Sequence, residues 1–322
     1  TAAELNILDG VTSTAAELNI LDGVTATAAE INVLDASLKE NNSIWIGSDP
    51  TSTTDTASNS VAVGVTALDA ITTGDNNVAI GYAALGANTT ASNNTAVGSS
   101  ALLINSTGAN NVAIGSAALD ANTTGDNNTG VGTNALSANT TAEANTAVGV
   151  NALMVNSTGA YNVAVGMSSL DANTTANRNT AVGYNALTEN STGSENVAVG
   201  YHSLDANTTG AANIAIGDQA LEANTTASSN VAVGKGALLV NSTGGNNVAI
   251  GRGALDANTT ASNNTAVGHD ALSANTTGAS NVGVGTYSLQ ANTTASNNTA
   301  MGYAALTLNS TGGNNTAIGY GA

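Results

Sequence analysis

The chain has no cysteine, a single proline and a single tryptophan, and aromatic residues make up only 2% of its 322 positions. It holds 4 basic residues against 22 acidic ones, a formal charge of −18. Each scarcity excludes something. Without cysteine there is no disulfide framework and no thiolate metal site; that composition suits an exposed, long-lived extracellular object. With so few Lys and Arg there is no basic patch for nucleic acid, and an anionic membrane surface would repel the chain. No apolar run approaches the length of a membrane-spanning helix. No secretory leader is visible, and Thr1 lies inside a repeat, so the sequence reads as a piece of a longer protein.

What is present is periodic. From Gly64 through Gly81 and Gly98 to Gly319, glycine stands at every seventeenth position, without insertion or deletion. A disordered tract has no reason to hold such a register. A strict period of this length marks a solenoid, each repeat one coil stacked on the next. Four before the glycine stands Asn from Asn77 to Asn315; three before, Val, Ile or Thr; two before, Ala or Gly; one before, Val, Ile or Met301. Four after it is Leu from Leu68 to Leu306, and seven after it is Asn from Asn88 to Asn309.

β-Branched residues around a small one read as a strand, and the glycine as a bend. A second short strand is expected to end at the Leu. The Asn-Thr-Thr-Gly or Asn-Ser-Thr-Gly segment reads as a turn, because Asn and Gly tolerate left-handed backbone angles. The expected fold is therefore all-β: a parallel β-solenoid (β-roll) of 16–17 coils, each with two strands and two turns. Val78, Ile80 and Leu85 are expected to form each coil's thin core, and the row Ala62, Ala79, Ala96 and Ala113 to lie flat against other copies. The thinness of that core and the alanine row lead to the expectation of a homotrimer.

Three units divide the chain. Residues 1–35 hold three 13-residue repeats beginning at Thr1, Thr14 and Thr27. Thr-x-x-Glu at the head of each matches a capping box, while Leu5 and Ile7 alternate as in a strand, so helix and strand both stay open there. Residues 36–59 form a junction that includes Pro50 and a degenerate first coil, with Gly47 one full period before Gly64. Residues 60–322 are the regular coils. In the first coil Trp45 takes the alanine slot, and we expect it to cover the open end of the apolar stack together with Ile44 and Ile46.

The motif Asn-Val-Ala-Ile-Gly followed by Ala-Leu (77–81, 84–85) resembles the head repeats of trimeric autotransporter adhesins, which implies a parallel β-roll with three chains around one axis. Asn-Thr-Ala-Val-Gly-Tyr (179–184) is similar to repeats of bacteriophage tail-fibre proteins and secreted bacterial fibre proteins. The units TAAELNILDGVT look like those of tail fibres from marine phages. Adhesin repeats are usually shorter than the repeats of this chain. The resemblance implies the structural shaft of an extracellular fibre, on a virion or cell surface, that holds a host-binding tip. A receptor is then met through segments outside this chain. A bacterial adhesin or secreted filament is the alternative, and an ice-binding solenoid a third reading. The last predicts Thr-x-Thr on a strand, whereas the Thr pairs here fall in the expected turn.

No catalytic, cofactor-binding or metal-binding residue is expected, and no cofactor. Fourteen Asn-x-Thr sequences between Asn88 and Asn309 fit a glycan acceptor pattern but also fit stacked turn chemistry. Asp69, Asp120, Asp171, Asp205 and Asp256 follow the Leu in some coils only, so they form no continuous carboxylate ladder and read as a solvated edge. His202 and His269 lie four coils apart, roughly 19 Å, too far to share a metal. The two positions after the glycine vary most (Tyr82, Met167, Tyr184, Tyr201, Asp218, Lys235, Arg252, His269), which places them on an exposed face. That face is read as a recognition surface or as tolerated decoration. Gly-x-Gly pairs carry no meaning of their own in such a repeat.

Overall fold

A computed structural model describes residues 43–47 and 56–322. It is one parallel sheet of 17 strands, one strand per coil, from Ile44–Gly47 and Val61–Gly64 to Thr316–Ile318. Each strand pairs in register with the strand of the next coil: Val61 with Val78, Ala62 with Ala79, Val63 with Ile80. At a strand spacing of about 4.8 Å, sixteen coils extend roughly 75–80 Å. The 13-residue repeats of residues 1–35 lie outside the described residues.

The expected second strand is absent from the described coils. The segment that reaches the Leu does hydrogen-bond to its neighbours, Leu68 N–H donating to Ala84 O at 3.0 Å and Leu85 N–H to Ala101 O at 3.0 Å. Yet every second residue in it is left-handed: Thr66 at φ 56° and Leu68 at 52°, Ala83 at 56° and Leu85 at 51°. An extended strand needs negative φ throughout. The chain therefore stacks here as a hydrogen-bonded ribbon of non-extended residues.

On the strand, inside and outside are also reversed from expectation, whereas the Leu column points inward as expected. Ala62, Ala79 and Ala96 point into the coil and are buried, as are Ala84 and Leu85 and their equivalents; the Leu column from Leu68 to Leu289 is fully buried and Leu306 partly so. Val78 is only half-buried, and Ile80, Ile114 and Ile250 are exposed. The reason is the period of two in a strand: only one parity faces the interior. The interior between strand and Leu is narrow, so it takes the small residue. Trp45 pairs with Ala62 and is 6% exposed, inside the core cluster. Its companions Ile44 and Ile46 face outward instead of joining it.

Two asparagine columns complete the interior. Asn94 N–H donates to Asn77 Oδ1 at 3.0 Å, and Asn77 Nδ2 donates to Ala91 O at 2.9 Å. Asn105 Nδ2 donates to Asn88 Oδ1 at 3.2 Å, and Asn88 Nδ2 to Ala91 O at 3.0 Å. One turn carbonyl thus receives two amide donors. A buried carbonyl left bare would be costly, which explains why both columns are Asn. Left-handed angles do not occur at these asparagines. They lie five before, two after and four after the glycine.

Candidate functional site

The glycine bend throws the next residue outward and stacks that position from coil to coil. The residue after it donates its N–H to the previous coil: Gln219 to Tyr201 O at 2.9 Å, Gly236 to Asp218 O at 3.0 Å, Gly253 to Lys235 O at 3.1 Å. The variable residues therefore form one continuous column on a single face.

Two aromatic clusters occupy it. Tyr184 and Tyr201 stack with ring centroids 5.6 Å apart and planes 12° from parallel, 42% and 54% exposed. His202 meets Tyr201 edge-on at 4.2 Å, and its Nδ1 lies 2.6 Å from Asp205 Oδ2. Farther along, His269 contacts Tyr287, Tyr287 contacts Tyr303, and Tyr303 stacks on Tyr320 at 5.2 Å.

Between the clusters lie charges. Lys235 Nζ is 2.8 Å from Asp218 Oδ2. Arg252 Nη1 is 3.2 Å from His269 Nε2, and His269 Nδ1 is 3.3 Å from Asp270 Oδ2. Arginine only donates, so His269 Nε2 is the acceptor in the contact with Arg252. Here two consecutive coils hold glycine, Gly236 and Gly253, two places after the column glycine. They open a cleft of about 190 Å³ between Lys235, Arg252, Asp256 and Asp270.

The expected solvated edge of aspartates is partly inside. Asp69 is exposed, but Asp120, Asp171, Asp205 and Asp256 are half-buried. Asp120, Asp171 and Asp256 follow coils with long side chains at the same place: Leu103-Ile104, Met154-Val155 and Leu239-Val240. Burial pushes the Asp120 carboxyl up; burial and then Glu189 do so for Asp171, and burial and then Asp270 for Asp256. Asp120 Oδ1 and Asp171 Oδ1 have no hydrogen-bond partner.

Other sequence candidates are accounted for by packing. Asn88 through Asn292 in the Asn-x-Thr sequences are fully buried with their amides bonded inward. The first threonine of the pair bonds to the next coil, Thr123 Oγ1 donating to Thr140 O at 3.0 Å. No group of three His, Asp or Glu residues among the described residues is placed to hold a metal. No described helix is long and apolar enough to cross a membrane.

The cleft is what sequence reasoning missed. The signal was present: Gly234-x-Gly236 and Gly251-x-Gly253 are adjacent Gly-x-Gly pairs, in coils that also carry the cations Lys235 and Arg252. No protein-family model matches the chain, and no curated protein matches it.

Proposed function

We infer that this chain is the structural shaft of an extracellular fibre, of the kind found in bacteriophage tail fibres, and that it holds a host-binding tip away from its anchor. One observation carries the reading. The strands from Val61–Gly64 to Thr316–Ile318 pair in parallel and in register, each with the strand one coil on. Such a molecule transmits position along its length, because each coil contacts only its neighbours.

A homotrimer is part of this reading, with the contact face moved. The alanine row is spent inside the coil. The outward rows, three before and one before the glycine, are Val, Ile or Thr at nearly every coil. Two rows about 7 Å apart over roughly 75–80 Å make roughly 500–600 Å² of mostly aliphatic surface. That is at the upper end of what a lone chain exposes, about 300–600 Å². Packing it against two further copies removes it from water. A bacterial adhesin or secreted filament uses the same rod and differs beyond it.

The test is coil exchange in the full-length fibre. Replacing the three coils 82–132 by other coils of equal number should leave adsorption unchanged, and deleting those three coils should shorten the rod by roughly 14 Å. Loss of adsorption on exchange, with the rod still folded, would replace the shaft reading by direct recognition through those coils.

A further inference from the structure

Two positions after the column glycine, the coils from Thr66 to Ala304 hold a side chain at left-handed φ in all but two cases: Ala83 at 56°, Gln219 at 57°, Asp270 at 49°. The backbone there does not demand glycine. Gly236, at 65°, and Gly253, at 64°, are bare all the same. A Cβ on Gly236 would meet no atom within 4 Å. That glycine leaves space rather than making room for a neighbour. At Gly253 the space is entered by the next coil's Asp270 carboxylate, with Asp256 Oδ2 3.9 Å from where a Cβ would stand. The resulting cleft of about 190 Å³ has Leu239 as an apolar wall. It shares Leu239, Asp256 and Asp270 with a neighbouring depression of about 510 Å³.

Its polar groups are mixed. Lys235 gives one contact to Asp218 and Arg252 one to His269, so both keep donors free. Gln219 brings an amide that donates and accepts. Asp256 and Asp270 accept. Two cations face three carboxylates, Asp218 included, on a chain of charge −18. That balance disfavours a polyanion. Two carboxylates beside two cations are a poor cage for a divalent metal. A neutral ligand whose own groups both donate and accept satisfies such a set, and hydroxyls do this.

The flanks specify the rest. Tyr201 and Tyr184 begin two coils before the cleft, roughly 10 Å away. Tyr287 and Tyr303 lie two and three coils beyond Arg252 on the same face. Tyr184, Tyr201 and Tyr303 are exposed and Tyr287 is half-buried; tyrosine rings at a surface offer apolar area and a polar tip together. Apolar C–H faces alternating with hydroxyls are the make-up of a pyranose, and a linear chain of them can follow the column. We propose that the coils from Tyr184 to Tyr303 bind a neutral, linear polysaccharide along the rod, with one sugar unit seated in the Gly236–Gly253 cleft.

The test uses the full chain against immobilised cellohexaose, mannohexaose and chitohexaose, with a hyaluronan hexamer as the acidic control. At least one neutral hexasaccharide should bind. Its affinity should fall at least tenfold in Gly236→Asn and in Tyr201→Ala. Asparagine already occupies the Gly236 register at Asn134, Asn151 and Asn185 with φ of 57°, 57° and 52°, so that variant fills the cleft without breaking the coil; equal melting curves check this. Ala117→Asn, at the same register seven coils earlier, should bind like the parent. Three results would overturn the proposal: no neutral hexasaccharide binds, only hyaluronan binds, or Gly236→Asn binds as well as the parent.

Discussion

Each column glycine but the last, Gly319, answers to two separate demands. Its φ lies between 129° and 141° in every coil from Gly64 to Gly319, a region that side-chain-bearing residues rarely enter. A Cβ would also strike the next coil: on Gly64 it would stand 2.5 Å from Gly81 O. Gly183→Ala in mid-rod should therefore cost at least about 1–3 kcal/mol from backbone strain alone, with the overlap added. Urea unfolding reads it, and an unchanged midpoint would contradict the geometry. The half-buried aspartates give a pH-dependent test. Burial raises the folded-state pKa of Asp120, Asp171 and Asp256, so the unfolded chain loses these protons first as pH rises. Stability is then highest below the ordinary carboxylate range and falls as pH climbs through the raised values. Asp171→Asn, which keeps the shape and removes the charge, should raise the melting temperature at pH 7 and leave it nearly unchanged at pH 3.5. A variant less stable than the parent at pH 7 would mean that the charged carboxylate has a partner.

At the scale of the coil, one three-residue strand is too little to hold an element together alone. The Leu at left-handed φ fills the interior from the opposite side, and the asparagines satisfy the turn between. Leu187→Asp puts an unpaired charge into a fully buried site and should cost several kcal/mol, at least about the 2–5 kcal/mol of a Leu→Ala cavity; unchanged melting would refute the packing. Trp45→Ala should cost about 3–5 kcal/mol, and iodide should quench Trp45 fluorescence weakly. Strong quenching would contradict its burial. Period, strand and inward Leu were all legible, because a strict repeat exposes its invariant slots. The orientation of Val78 and Ala79 was not. Hydrophobicity favours the larger residue inside, and only the width left by Leu85 across the coil selects the alanine. The missing second strand was illegible because Ala83 and Leu85 give no local sign of left-handed φ. In their case stacking overrides intrinsic preference.

At the scale of the molecule, hydrogen-bonded ladders run unbroken and every interior column repeats. What varies lies along one outer column, where Tyr201, Lys235 and Arg252 stand, and what is held constant outside is the aliphatic strand face. The proposed shaft needs that face covered, and the central claim is that copies of the same chain cover it. Small-angle X-ray scattering with in-line light scattering on the full chain tests this most directly. The account predicts a particle of three chain masses, a maximum dimension of at least roughly 75–80 Å and a constant cross-section along it. A stable particle of one chain mass, folded and with the aliphatic rows exposed to water, would contradict it.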